Sequence, residues 1–351
     1  MPWPSPALPF LRPRRPALNL ALQGGGAHGA FTWGVLDALL EADRFDIAGL
    51  SGTSAGAINA VLLAHGLQHG GAPGARAALD GFWSALGGSI PFEWLTVGQD
   101  EGLAFNPLAR LMMRFSQMFA PHELNPMGHN PLRDLLAQHV DFAALQAGGG
   151  PRLAIAATHA NSGRLRVFDN AALSLDALLA STCLPTLHHT VVIDGEPYWD
   201  GGYSANPALM PLLADPRCAT DTLIVLLASR HHANTPRKTT EIAERAMDIA
   251  FQAPLLRELD LLDALQSEGR GRWWPATGLQ GRIAQARWHL VDGAPVLAAL
   301  RGETRLIAHL PFLLRLREAG RAAALAWLQA HGDQVGRRSS VSLQALSHGG
   351  P

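Results

Sequence analysis

Lysine is almost missing from this chain: Lys238 is the single one in 351 residues, and the rest of the positive charge is arginine. That removes most Ser-Lys and Schiff-base schemes, because the one amine lies in a polar loop, Ala233-Asn234-Thr235-Pro236-Arg237-Lys238. A chain-wide bias toward arginine accounts for it. Cysteine is nearly as scarce. Cys183 and Cys218 give neither a disulfide framework nor a four-ligand metal set, so a reduced compartment is expected. Charged residues make up only 16% of the chain and the net charge is −1, which leaves no basic footprint for nucleic acid. No apolar run is long enough to span a bilayer. Residues 1–16 hold six prolines and place arginines behind only a short apolar patch, unlike the uninterrupted core of a secretory signal. Residues 1–17 therefore read as a disordered lead, and a cytoplasmic protein with peripheral membrane contact is expected. The pairs His188-His189 and His231-His232 lack metal spacing on one face and there is no H-E-x-x-H, so no metal is expected.

What is present is a 48% hydrophobic composition with two strands that each end in a glycine-rich turn. Ala17-Leu18-Asn19-Leu20-Ala21-Leu22 runs into Gly24-Gly25-Gly26-Ala27-His28-Gly29, and Ile47-Ala48-Gly49-Leu50 runs into Gly52-Thr53-Ser54-Ala55-Gly56. Apolar helical segments follow both turns, so both helices should open at the carboxyl edge of a parallel sheet, where open α/β sheets keep their sites. The second turn is G-x-S-x-G, a strand-to-helix corner whose small residues, Gly52 and Gly56, let a serine hydroxyl stand clear. Ser54 is the candidate nucleophile. The first turn, Gly24, Gly25, Gly26 and Gly29, offers bare backbone amides at a positive helix end, suited to an oxyanion, with Gly25 and Gly26 as the donors.

Together with Asp200-Gly201-Gly202, the ordered set G-G-G-x-x-G, G-x-S-x-G and D-G-G resembles the patatin-like phospholipases, serine lipid acyl hydrolases, over roughly residues 18–215. The resemblance implies a three-layer α/β/α fold with a mostly parallel sheet. It also implies a lipid ester or phospholipid substrate, no cofactor, and Asp200 acting directly on Ser54 as a catalytic dyad. Gly201 and Gly202 would let the backbone bend so that the carboxylate approaches another loop. His28 departs from the family, where this position is often arginine. The oligomeric state is not legible.

Three alternatives remain on the residues themselves. Gly24, Gly26 and Gly29 also satisfy the dinucleotide fingerprint, although the second strand ends in Ser54 rather than the acidic residue that holds a ribose. A Ser, Asp, His triad of the α/β-hydrolase kind could draw on His231, His232, His289 or His309, none of which has a local signature. A non-catalytic lipid-binding module would keep the fold, but the joint presence of Ser54, the glycine loop and Asp200 weighs against it.

Along the chain, Ala30–Leu40 and Ala55–Ala64 read as buried helices, the second stopping near Gly66 ahead of a small-residue loop to Gly74. Leu108, Leu111, Met112, Phe115 and Phe119 recur with helical spacing within 105–119. Such a stripe usually covers a core; beside a lipid site it could be a lid or a membrane contact. Two hairpins are expected, one turned at Asn161-Ser162-Gly163 and one at Asp194-Gly195. Residues 216–335 read as a mostly helical portion packed on the catalytic domain of 18–215, with a buried strand at Thr222–Ala228, a short strand at Arg287–Val291 and a Trp273-Trp274-Pro275 loop. Residues 336–351 read as a disordered tail.

Overall fold

In Leu18-Asn19-Leu20-Ala21-Leu22 both alternating faces are apolar or small, the pattern of a strand covered on both sides, and all five residues are buried. This strand, β1 (Ala17–Leu22), lies at the centre of an eight-stranded sheet. The computed structural model describes residues 15–89, 92–231, 235–270 and 277–348. The others carry the first fourteen residues of the expected lead, His232, the Trp273-Trp274-Pro275 loop and the last three residues of the tail, all outside the described residues.

The strands are β1, β2 (Asp46–Thr53), β3 (Thr96–Val97), β4 (Ala104–Phe105), β5 (Arg152–His159), β6 (Leu165–Phe168), β7 (Val191–Ile193), β8 (Glu196–Asp200), β9 (Asp221–Leu226) and β10 (Arg287–Asp292). The main sheet runs β10-β9-β1-β2-β5-β8-β7, with β6 also on β5, and β3 and β4 form a separate pair. Strands β10, β9, β1, β2 and β5 are parallel, whereas β6 and β8 run antiparallel to β5. Both expected hairpins form, the second with Asp194 at φ 54° and Gly195 at φ 83°.

Helices cover both faces, giving the three-layer arrangement. Leu18, Leu20 and Leu22 point into a core with α1 (Gly29–Ala42), α2 (Ala55–Gly88) and the helix Leu310–His331. Ala21 points into a second core with the helices Met210–Ala214, Thr239–Arg270, Gly278–Gln285 and Leu343–His348. Three sequence expectations change here. The two strands expected after residue 215, β9 and β10, belong to the main sheet and extend it beyond β1, so this part is not merely packed on the catalytic domain. The tail is ordered at least to residue 348, since Leu343 and Leu346 are buried in the second core. The break in α2 falls at Gly70 and Gly71, where φ reaches −155° and 59°, so the loop is much tighter than 66–74. The two arms of α2 then run back closely enough that a Cβ at Gly66 would stand 2.3 Å from Ala75 Cα. The second arm therefore returns the chain toward the edge where Ser54 lies.

Buried Asp37 on α1 accepts from Arg76 of α2 at 2.6 Å and from Arg317 at 3.0 Å, with Arg321 as a third partner. Burial alone would raise its pKa, but the Arg76 and Arg321 hydrogen bonds outweigh it and hold the carboxyl below its ordinary value. Beside this cluster the backbones of α1 and Leu310–His331 touch: a Cβ at Gly320 would lie 2.0 Å from Phe31 O. A backbone clash has no rotamer escape, so Gly320→Ala should lower unfolding free energy by about 1–3 kcal/mol despite alanine's better helix propensity. Gly88→Ala, with open space at its Cβ, should leave stability unchanged or slightly raised. Urea unfolding of both variants checks this, and equal behaviour would count against the close crossing.

Candidate active site

The corner between β2 and α2 forces Ser54 to φ 54°, ψ −126°, a strained conformation for a residue with a side chain. Tight packing makes the corner possible. A Cβ at Gly56 would lie 2.2 Å from Leu22 O, and one at Gly52 would lie 2.5 Å from Gly56 O. The corner is braced from outside as well. Ser54 N donates to Ser181 Oγ at 3.1 Å, and Thr53 Oγ1 donates to Ala205 O at 2.8 Å. Ser54 thus stands at the N-terminus of α2, where the helix end favours negative charge.

Asp200 ends β8, paired with Ala157 of β5. Its amide donates to Cys183 O at 2.7 Å, and its carbonyl accepts from Thr158 Oγ1 at 2.8 Å, which fixes the backbone on both sides. The residue is fully buried; Oδ1 accepts from Gly202 N at 2.8 Å, while Oδ2 has no hydrogen-bond partner among the described residues. Burial pushes the carboxyl up to about 7, and the Gly202 amide and the Ser54 hydroxyl pull it partly back. The serine is therefore close enough to act on the carboxyl's charge without standing in full hydrogen-bond geometry with Oδ2. Gly201 and Gly202 open a 3-10 turn, Gly201–Tyr203, that carries the chain away beneath Phe251.

The glycine loop separates into different roles. Gly24 N already donates to Asn206 Oδ1 at 2.7 Å, so this amide is not an open donor. Gly29 begins α1, with Ala55 and Trp83 against its Cα, a packing position rather than a wall of the cavity. Gly25 and Gly26 line the cavity. Gly26 needs its missing side chain, since φ is 59° and a Cβ would stand 2.3 Å from Arg305 O. Arg305 belongs to the 3-10 turn Gly302–Leu306, which lies over the loop. In that turn Thr304 Oγ1 donates to Arg301 O at 2.6 Å, so at 2.7 Å it accepts from His28 Nε2. Burial and the nearby Arg305 charge lower the His28 pKa to about 3, so the ring is neutral and a weak base.

Ser54, Asp200, Gly24, Gly25 and Gly26 share one cavity of about 210 Å³, walled by Leu184, Leu227, Met247, Phe251 and Leu306. A larger groove of about 570 Å³ opens at the other edge of the sheet, beside Phe45, Ile47 and Arg152, and contains none of them. His231 and His309 do not line the cavity that holds Ser54 and Asp200. His289 does form a Ser-His-Asp chain, with Ser340 Oγ and Asp221 Oδ1 each at 3.0 Å, but Asp221 opens β9 at the amino edge. That chain ties the C-terminal segment to the sheet. The dinucleotide alternative gains no support, because β2 runs into Ser54 and presents no acidic residue at its end to hold a ribose. Among the described residues no group of three or more His, Cys, Asp or Glu could hold a metal ion.

Sequence reasoning missed three supporting residues. Ser181 lies in the run Ala180-Ser181-Thr182-Cys183-Leu184-Pro185, whose letters do not single out a partner for the Ser54 amide. Asn206 precedes Pro207 in a turn-like dipeptide, a usable but unspecific signal. Thr304 carries no signal at all.

The family model described as Patatin-like phospholipase matches residues 20–213. No curated protein matches the chain. Among solved structures, VipD from Legionella pneumophila is similar at 15% identity and a TM-score of 0.35, covering 88% of this chain and 67% of that one. With more than half of its length matched, and the three glycine-rich motifs converging on one cavity, this chain belongs to the patatin-like phospholipase family.

Proposed function

We propose that the protein hydrolyses carboxylic ester bonds of lipids through a Ser54–Asp200 dyad and an acyl-enzyme. The observation that carries this is the Asp200 carboxyl: fully buried, raised to about 7, with one oxygen unpartnered and the Ser54 hydroxyl within its influence. A carboxylate in water is too weak a base for a serine. Burial makes it stronger and tunes it close to neutral pH, where general-base catalysis works best.

Ser54 Oγ attacks the acyl carbonyl carbon and passes its proton to Asp200. The tetrahedral oxyanion is held by the Gly25 and Gly26 amides, and the alcohol of the lipid leaves with the proton from Asp200. Water then gives a proton to Asp200 and attacks the acyl carbon. The acid departs, and Ser54 Oγ recovers the proton. Leu184, Leu227, Met247, Phe251 and Leu306 supply the apolar wall that an acyl chain needs.

A fluorophosphonate probe and a short-chain nitrophenyl ester test the reading. Ser54→Ala should neither label nor turn over. Asp200→Asn should lose about 10²–10⁴-fold in kcat. His231→Ala and His289→Ala should retain turnover, and a comparable loss from either would transfer the base role to a histidine.

Because only the ionised carboxyl accepts the serine proton, kcat/KM should rise with pH through a midpoint near the Asp200 value of about 7. A flat profile between pH 5 and pH 8 would exclude Asp200 as the base.

The same shift sets a stability effect. The folded carboxyl holds its proton well above the ordinary value of 3.8, so its burial becomes costly as pH rises from there through about 7. Asp200→Asn, which keeps an acceptor for Gly202 N, should be more stable than wild type at pH 8, on the order of a few kcal/mol. At pH 4 the difference should vanish. Thermal melting at the two pH values reads it directly.

A further inference from the structure

Helix α3 (Pro107–Ser116) is turned inside out. Its apolar residues Leu108, Leu111, Met112 and Phe115 are 59–65% exposed, while Arg110, Arg114 and Gln117 border a groove on the protein side. The common case, an amphipathic helix covering a core, does not hold here. Exposure continues past the helix through Met118 and Met127, at 76% and 92%. Adjoining it, Trp94 is 80% exposed on a turn that Asn106 holds in place: the Asn106 side chain caps α3 through Ala109 N and donates to Trp94 O, both at 2.8 Å. An apolar surface this dense is costly in water and marks a contact site.

The face is fastened to the catalytic machinery. Arg110 pairs with Glu303 at 2.7 Å, in the same Gly302–Leu306 turn that lies over Gly26 and holds His28. The groove beneath α3, about 850 Å³, shares Met247, Gly302 and Leu306 with the catalytic cavity, so the two lie side by side. Its charges come in both signs. Arg110 is spent on Glu303 and Glu241 on Lys238. Arg114 and Arg301 have no acidic partner, and Glu244 no basic one, among the described residues.

We propose that α3 and the segment following it dock on a zwitterionic phospholipid bilayer, with the apolar side chains entering the acyl region. On this proposal the groove beneath receives a lipid headgroup, its phosphate toward Arg114 and Arg301 and its ammonium toward Glu244. This rests on the lipid-ester reading of the cavity and names the surface from which substrate comes. Unbranched methionine adapts to a fluid surface, and a protein seated on the same face would close the groove mouth that a bilayer feeds. The balanced charge means that apolar insertion, rather than attraction to anionic lipid, holds the protein there.

Vesicle flotation of the Ser54→Ala protein separates docking from chemistry. It should bind phosphatidylcholine vesicles, and replacing part of the lipid by phosphatidylglycerol or raising salt should change binding by less than about threefold. Adding Leu111→Ser, Met112→Ser and Phe115→Ser should weaken binding by roughly a thousandfold, from the lost burial of three large apolar side chains. The triple variant with Ser54 intact should hydrolyse a soluble nitrophenyl ester like wild type but lose vesicle turnover. Should the triple variant fold poorly, Leu111→Ser and Phe115→Ser singly should each weaken binding about tenfold.

Several results would overturn the proposal. These are no binding to phosphatidylcholine, equal binding by the variants, or binding confined to anionic vesicles and abolished by salt. A dimer in sedimentation that the triple change dissolves, without vesicle binding, would give the face to a second copy of the chain. Vesicle binding without soluble-ester turnover by wild type would instead remove the hydrolase reading and leave docking intact.

Discussion

A carboxyl group denied water is the constraint around which this molecule is arranged. Asp200 is fully buried, among the described residues Oδ1 accepts from Gly202 N alone, and the surrounding backbone prevents the side chain from turning outward. Strand pairing with Ala157, the Asp200 amide on Cys183 O and the Thr158 hydroxyl on its carbonyl together over-determine its position. Strain of a different kind sits opposite, in the positive φ of Ser54. Neither feature would survive on a mobile loop. Each lies at the end of a strand of one sheet, so the stability of the sheet offsets both.

Much of this was legible in the sequence, and the reasons are physical. Few sequences other than glycine at 52 and 56 around serine at 54 fit so tight a corner, so the elbow could be read from the letters; apolar runs ahead of glycine turns marked β1 and β2, and turn residues marked both hairpins. The partners of the loop could not be read. Gly24 and Gly25 look alike as letters, yet Asn206, far along the chain, engages only the first amide. Ser181 and Thr304 act through single hydroxyls, which leave no periodic trace. A strand pattern likewise says nothing about sheet order, so the way β9 and β10 widen the main sheet was invisible until the chain was folded.

Helix α3 illustrates a symmetric ambiguity. Periodicity identifies an apolar side and a polar side, but the same pattern fits a helix facing inward or outward. Here the polar side faces the protein, with Arg110 paired to Glu303, and the apolar side faces out. A partly exposed ion pair is worth too little to offset that exposure, so the local sequence and this contact together do not account for the orientation.

The turn Gly302–Leu306 lies well outside residues 20–213, yet its Arg305 carbonyl closes over Gly26 and its Thr304 holds His28. The segment that defines the family is therefore not self-sufficient in this chain: a fragment cut at its boundary would carry both Ser54 and Asp200 but leave the glycine loop uncovered at Gly26. Sequence drift in the last third of the chain can thus retune the geometry at Gly26 while every signature residue stays the same.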